Sequence, residues 1–113
     1  MLLQLIEAVA VNGQEVAFEA ALCEVRQRVF MMPGFRGLTV AQGAEQANVY
    51  LVQVRWETVD ELQDVVGSDR FERCWAPVQP LLVRPLQVDH FVERPSLNDQ
   101  GPGVITDLAW LRT

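Results

Sequence analysis

The sequence NVYLVQVRWET, residues 48–58, decides the fold of this chain. Its run of β-branched and aromatic residues is typical of a strand in a packed sheet. Successive side chains of a strand point to opposite faces, so this stretch has one wholly apolar face and one mixed face. The pattern predicts a central strand that helices cover on its apolar side. The apolar face carries Tyr50, Val52, Val54 and Trp56, and the mixed face carries Val49, Leu51, Gln53 and Arg55.

Further strands and helices are predicted on both sides of this stretch, from period-two and helical spacing respectively. Asn12 is expected to cap the first helix, with Glu15 reaching back to it. The order βαββαβ is that of an α+β, ferredoxin-like domain with an antiparallel sheet and helices on one face. Besides the central strand, the predicted elements are strands at 2–11, 36–42 and 86–93, helices at 15–31 (marked by Phe18, Leu22, Val25 and Val29) and 59–66 (ended by Gly67), and a helical stretch from Ser68 that Pro77 and Pro80 limit.

The second face of the sheet is also apolar. A monomer rarely exposes so large an apolar patch, so we predict a homodimer that packs through the sheet faces. Glu7 and Arg55 lie on the same face and are candidates for an ion pair in that interface. The apolar residues of this face are Leu3, Leu5, Val9, Val11, Val49 and Leu51.

Length and composition indicate one domain and a tail. The chain has 113 residues, half of them hydrophobic, which suits a single compact domain at residues 1–94. Residues 95–113 open polar and rich in Gly and Pro, then close with Trp110 and Leu111. We expect this tail to dock on the domain or on the partner subunit; a partly disordered extension is the alternative.

Charge and hydropathy exclude two classes of partner. The net charge is −6 and no cluster of basic residues reverses it, which argues against nucleic acid. No apolar run approaches the ~20 residues of a membrane helix, which argues against a membrane and for a cytoplasmic protein. Cys23 and Cys74 are expected to be reduced, buried thiols. One histidine and scattered carboxylates give no metal-ligand spacing, so no metal is expected.

Four short segments, in this order, resemble the antibiotic biosynthesis monooxygenase (ABM) domain over about residues 2–94. They are GQEVAFEAAL at 13–22, PGFRG at 33–37, RWET at 55–58 and VDHF at 88–91. The resemblance implies a dimeric α+β barrel with a pocket between sheet and helices in each subunit. Some members of this family oxygenate polyaromatic phenols or quinones without metal or flavin. Others degrade haem, isomerise small phosphorylated metabolites, or have no established reaction.

Single positions distinguish the haem-degrading and the oxygenase branches of the family that this sequence resembles. Where the haem-degrading branch carries Asn, Trp and His, this chain has Ile6, Val65 and Trp75. Haem chemistry is therefore not expected. The oxygenase branch has a Trp at the end of the central strand, which Trp56 matches, together with an Asn and a Tyr. At those two positions this chain has Val52 and Leu62, so the pocket shape is kept while two of its polar groups are lost.

Two residues are candidates for catalysis. His90 is the one histidine of the chain and the natural general base or proton shuttle. A structural or interfacial histidine is the alternative, since nothing beside it in sequence tunes it. Trp56, at the end of the central strand, is a candidate pocket wall, because a buried ring N–H needs a partner; a plug of the core is the alternative.

Four further residues are candidates for substrate binding. Gln4 is placed to donate a hydrogen bond into the cavity, or to be an amide satisfied near the strand end. The aromatic residues are candidate pocket walls, with ordinary core packing as the alternative. They are Phe35, Phe71 and Trp75.

The leading hypothesis is a cofactor-independent monooxygenase acting on a small electron-rich aromatic or quinol-type substrate. Such an enzyme supplies a dry cavity, orientation and a proton acceptor, while the deprotonated substrate itself reduces oxygen. No cofactor is expected. The alternatives are a non-catalytic dimeric module that binds a small molecule on the same fold, or an isomerase of a small metabolite, which would need an arginine in its pocket.

Overall fold

The structure is a computed structural model in which residues 1–58, 60 and 69–97 are described. The helix predicted at 59–66, its end at Gly67, the helical start at Ser68 and the tail from 98 to 113 lie, apart from Asp60, outside the described residues. The elements are β1 (Leu2–Val9), α1 (Glu15–Phe30), β2 (Phe35–Gln42), β3 (Val49–Trp56), α2 (Arg70–Trp75), a 3₁₀ helix (Ala76–Leu81), β4 (Gln87–Val92) and a short 3₁₀ turn (Pro95–Leu97).

The four strands form one antiparallel sheet in the order β2-β3-β1-β4. Strand β3, which lies within residues 48–58, pairs with both β1 and β2 and is therefore central. This is the predicted ferredoxin-like α+β arrangement. Strand β1 ends at Val9, two residues earlier than predicted, and Ala10 makes an isolated bridge with Leu82.

The helix-covered face of the sheet carries the core. All four residues predicted for the apolar face of β3 are buried, and so are the four that set the helical spacing of α1. Phe18 of α1 stacks on Tyr50 of β3 with ring centroids 4.5 Å apart. Alternation in the strand and helical spacing in α1 therefore identified the two surfaces that meet. The other buried members of this core include Leu2, Ile6, Ala8, Trp75 and Val78.

Two details at α1 differ from expectation. Asn12 does not cap the helix: the N-cap residue is Gln14, which makes no side-chain capping hydrogen bond. Residues 12 and 13 form a turn instead, and Gly13 adopts a φ of 86°, which suits glycine. Cys23 is exposed, because it follows Leu22 by one residue and so turns away from the buried stripe; Cys74 is buried as expected.

The second face of the sheet is open in the single chain. Leu51 on this face is 44% exposed and Phe91 is 50% exposed. The proposed pairing of Glu7 with Arg55 is not found within the chain, because β1 and β3 place Glu7 opposite Leu51 instead. Glu7 contacts Arg84 at 2.9 Å and Arg55 contacts Glu93 at 3.4 Å.

The described helices are short. The longest, α1, has 16 residues. In the part of the chain that the structure describes, no helix combines the length and apolar character that crossing a membrane requires.

Candidate functional site

The register of β1 with its neighbours places His90 on the helix-covered face. Gln4 of β1 lies opposite His90 of β4 and opposite Val54 of β3, and residues directly opposite one another share a face. Gln4 is 1% exposed, whereas His90, on the edge strand, is exposed. The histidine therefore stands at the rim of the core and not on the open face of the sheet.

Three of the predicted site residues form one hydrogen-bonded chain. The indole Nε1–H of Trp56 donates to Oε1 of Gln4 at 3.2 Å. Nε2 of the same Gln4 amide lies 3.4 Å from Nε2 of His90. Trp56 and Gln4 are each 1% exposed, so the chain is dry at one end and reaches solvent at the other. A buried indole, a buried amide and a titratable ring are thus connected across three strands.

An aromatic pair supports the buried end of this chain. Phe35, at the start of β2, meets Trp56 edge-to-face, with ring centroids 6.2 Å apart and planes at 81°. Phe30, at the end of α1, meets Phe35 in turn at 5.9 Å. Edge-to-face contacts of this kind restrict the rings that take part in them. Phe35 therefore packs against the ring of Trp56 on the side of β2.

The remaining two predicted residues form a ring pair of their own. Phe71 and Trp75 of α2 have centroids 6.0 Å apart, and Trp75 is 1% exposed. Trp75 packs within the core, and Phe71 lies partly buried against it. This packing matches the core role that was the alternative for these aromatics.

Three of the positions that distinguish the family branches are core positions here. Ile6 and Val52 are fully buried and lie opposite each other on β1 and β3. Trp75, which stands at the position of the haem ligand, is buried as well. The other two positions, Leu62 and Val65, lie outside the described residues.

A groove between α1 and the edge strand β2 was not anticipated from the sequence. Its volume is about 330 Å³. Its polar side contains a short hydrogen-bond network: the Tyr50 hydroxyl donates to Glu19 Oε2 at 2.7 Å and accepts from Gln42 Nε2 at 3.2 Å. Spacing could have indicated Glu19, which follows the buried Phe18 by one residue and so emerges beside the helix–sheet contact. The lining residues are Glu19, Leu22, Cys23, Arg26, Leu38, Val40, Gln42 and Tyr50.

Tyr50 in this network is held in its neutral form. Burial, followed by the hydrogen bond and the negative charge of Glu19, raises the pKa of Tyr50 from 10.0 to about 12. The charge of Glu15 acts in the same direction and the hydrogen bond from Gln42 acts against it. Because the folded-state pKa is the higher one, the stability contributed by neutral Tyr50 is complete below pH 10 and is lost as the pH rises through 12.

This network predicts a titration that absorbance can follow, since Tyr50 is the one tyrosine of the chain. We expect tyrosinate absorbance to appear with a midpoint near pH 12 while the circular dichroism remains native. Glu19→Gln removes the charge and should lower the midpoint without restoring the ordinary value, because burial, the largest cause, persists. Glu24→Gln, on the same helix but paired with Arg28, is the control. Equal midpoints for the two variants would contradict the assignment.

A second cavity, also of about 330 Å³, lies beside α2. Among its lining residues, Arg28 pairs with Glu24, and Arg73 pairs with Asp69. Burial raises the pKa of the Cys74 thiol, and the arginines counteract this in part, so the thiol is protonated and unreactive at neutral pH. The lining residues are Arg28, Met32, Arg70, Arg73 and Cys74.

A metal site needs several ligand side chains close together. Among residues 1–58, 60 and 69–97, no group of three or more His, Cys, Asp and Glu side chains is arranged to hold a metal ion.

Comparison with models of known protein families identifies the family to which the chain belongs. The family model for antibiotic biosynthesis monooxygenases matches residues 1–76. The match spans well over half of the sequence, and the chain belongs to the antibiotic biosynthesis monooxygenase family. No curated protein matches the sequence.

Solved structures share the fold over most of the chain. A protein from Bordetella bronchiseptica, named as an antibiotic biosynthesis monooxygenase, is 27% identical with a TM-score of 0.71, covering 82% of this chain and 97% of its own. SnoaB from Streptomyces nogalater, named as a cofactor-independent oxygenase, is 17% identical with a TM-score of 0.70, covering 87% and 98%. A family member from Deinococcus radiodurans is 13% identical with a TM-score of 0.73, covering 89% and 100%. At such identities the last two show the fold alone.

Proposed function

We propose that this protein is a cofactor-independent monooxygenase of small electron-rich aromatic or quinol-type substrates, with His90 as the proton acceptor. The observation that carries the proposal is the hydrogen-bonded chain from Trp56 through Gln4 to His90. It joins a titratable ring at the surface to a dry, aromatic-lined interior, which is what such a reaction needs from a protein. Membership of the monooxygenase family and the fold shared with SnoaB support the same reaction class.

The chemistry balances without an external reductant. For an anthrone, a proton passes from the substrate to His90, and the resulting anion gives one electron to O₂. Recombination forms a C–O bond, and loss of water from the peroxide leaves the carbonyl. The sum is R₂CH₂ + O₂ → R₂C=O + H₂O, in which the substrate is oxidised and oxygen is reduced. One proton from solvent completes the water that is formed, and His90 releases its proton to solvent, so the protons balance.

In this proposal the candidate residues have separate roles. His90 accepts the proton, and Phe35, backed by the buried ring of Trp56, forms the wall against which the substrate rings lie. Gln4 connects the wall to the base. Phe71 and Trp75 would close the cavity from the side of α2, which requires that α2 move away from its packed position in the core.

The apolar open face supports a dimer that packs sheet to sheet. Pairing two copies would cover Leu51 and Phe91, which the single chain exposes, and would close the two sheets into a barrel. Residues 95–113 would then dock on the domain or on the partner subunit. The setting we propose is cytoplasmic, with a small apolar or aromatic molecule as the ligand and with neither nucleic acid nor membrane as partner.

Oxygen uptake tests the proposed reaction. We expect the purified protein to consume oxygen with anthrone or a naphthohydroquinone above the uncatalysed rate, forming one quinone per O₂ from anthrone. His90→Asn should lower kcat by about a hundredfold, the usual contribution of a positioned base. Gln27→Ala, an exposed position on α1, is the control and should leave the rate unchanged. Uptake equal to background for the wild type would overturn the enzymatic proposal.

One observation favours a second candidate, a non-catalytic module that binds a small aromatic molecule. Trp75 is 1% exposed and packs on Phe71, so these two rings fill the space that a substrate would need on that side. A module of this kind would bind anthraquinone in calorimetry while consuming no oxygen with anthrone. An oxygenase would bind anthraquinone and would also consume oxygen with anthrone.

A further inference from the structure

We infer that Gln4 is a positioning residue that fixes the tautomer of His90, keeping Nε2 free of a proton and placing the ring proton on Nδ1. The inference deepens the proposed function and rests on it for its catalytic meaning. Its geometric content is independent of any reaction, because it follows from which atoms of the chain can donate and which can accept.

The argument begins at the buried end, with Trp56. An indole Nε1–H can only donate a hydrogen bond. Trp56 is 1% exposed, so water is not available as an alternative acceptor, and an unsatisfied buried donor is unfavourable. The acceptor at 3.2 Å is Oε1 of Gln4. The carbonyl end of the Gln4 amide must therefore point towards Trp56.

The orientation of the amide follows from this contact. Oxygen and nitrogen of a glutamine side chain are told apart by their partners, and reversing this amide would set the NH₂ group of Gln4 against the N–H of Trp56. With the oxygen on the Trp56 side, the NH₂ group faces His90 at 3.4 Å. That amide nitrogen is a donor only.

The state of His90 is then determined. A donor that faces Nε2 requires Nε2 to accept, so in the neutral ring Nε2 carries the lone pair and Nδ1 carries the proton. The residues responsible are 86 positions apart in sequence and are brought together by the register of β1 with β4. Trp56 thus acts on His90 through Gln4, without touching it.

For the proposed reaction this identifies the basic atom. The separation of 3.4 Å is long for a hydrogen bond, so a substrate hydroxyl can take the place of the amide at Nε2. Proton transfer then breaks the substrate O–H bond and forms an Nε2–H bond, giving a phenolate and an imidazolium. Without Gln4 the ring would share its proton between the two nitrogens, and only part of the population would present a lone pair at Nε2.

Nitrogen NMR on the full chain tests this inference directly. His90 is the one histidine, so ¹⁵N-histidine labelling gives a single pair of ring-nitrogen resonances. At a pH where the ring is neutral, we expect Nδ1 to be the protonated nitrogen in the wild type by about tenfold, the effect of one hydrogen bond. A wild-type spectrum with the proton on Nε2, or shared equally, would overturn the inference.

Two variants and one control distinguish a positioning role of Gln4 from a purely structural one. Gln4→Glu replaces the donor by an acceptor and should reverse the tautomer, so that Nε2 carries the proton. Trp56→Phe removes the donor that orients the amide and should reduce the tautomer preference at least several-fold towards equal populations. Phe35→Leu removes a ring contact of Trp56 but leaves both hydrogen bonds, so it should preserve the wild-type tautomer. If Gln4→Glu does not fold, the wild type and Trp56→Phe decide the matter.

The two proposals fail in different measurements. Absence of oxygen uptake would remove the proposed reaction and leave the tautomer result standing. An Nε2-protonated wild type would remove the positioning role of Gln4 even if the protein proved to be an oxygenase.

Discussion

Leu51→Glu is expected to convert the proposed dimer into monomers. Leu51 lies on β3, a central strand, and its side chain is on the open face with 44% exposure in the single chain. In the proposed sheet-to-sheet dimer, each copy would bury a carboxylate at this position among the apolar side chains of the two open faces. An uncompensated buried charge costs about 3–5 kcal/mol. The dimer dissociation constant should therefore rise by more than about a hundredfold.

Sedimentation equilibrium over a range of micromolar concentrations measures this change. Val16→Glu is the matched control: it also places a carboxylate on an exposed apolar residue, but Val16 lies on α1 and is 85% exposed. The control should remain dimeric. A wild-type chain that sediments as a monomer would contradict the proposed dimer altogether, and a dimeric Leu51→Glu variant would place the interface on another surface.

Trp56→Ala is expected to lower the free energy of unfolding by about 3–5 kcal/mol, the range for large aromatic residues in a core. Trp56 is 1% exposed, so its removal leaves a cavity between β3 and the helices. The substitution also leaves the buried Oε1 of Gln4 without its donor, which adds to the loss. The effect should therefore fall in the upper part of the range.

Urea unfolding at one fixed protein concentration measures this loss, because the stability of a dimer depends on concentration. Trp56→Phe keeps most of the volume and loses the N–H, so it should cost only about 1–3 kcal/mol. The difference between the two variants separates packing from hydrogen bonding. A loss below about 1 kcal/mol for Trp56→Ala would show that the site collapses around the smaller side chain and that the indole is not a core element.

The sequence predicted most of the fold because periodicity reports burial. Alternation in 48–58 gave the buried face of β3, and helical spacing gave the buried stripe of α1. The ends of elements were less predictable. Asn12 is a good capping residue in isolation, yet it forms part of a turn with Gly13, and the helix begins only at Glu15.

Pairing between strands was the main limit on predicting the site. The candidates His90, Gln4 and Trp56 could each be chosen from chemistry, but their contact depends on a register that places Gln4 opposite His90 and β3 on the other side of β1. The interface prediction depends on alignment in the same way: within the single chain Glu7 contacts Arg84 and Arg55 contacts Glu93, and a pairing of Glu7 with Arg55 between two copies stays a prediction. Spacing within one element identifies a face, whereas contact between elements depends on how the strands align.

Two features that the sequence did not predict also depend on how elements pack against each other: the hydrogen bond between Tyr50 and Glu19, and the exposure of Cys23. The hydrogen bond from Tyr50 to Glu19 joins residues 31 positions apart. Nothing in either segment alone points to the other. The usual burial of free cysteine predicts a buried Cys23, but a helical residue next to a buried one turns by about 100° and reaches the surface.

The position of His90 on an edge strand has a consequence for the recycling of the catalyst. Its ring touches the dry amide of Gln4 and is exposed to water at the same time. A base enclosed in the interior would need a relay of ordered waters to discharge its proton after each turnover. Here bulk solvent can exchange that proton directly, so in the proposed reaction turnover would be governed by substrate arrival or by electron transfer to oxygen, with regeneration of the imidazole fast by comparison.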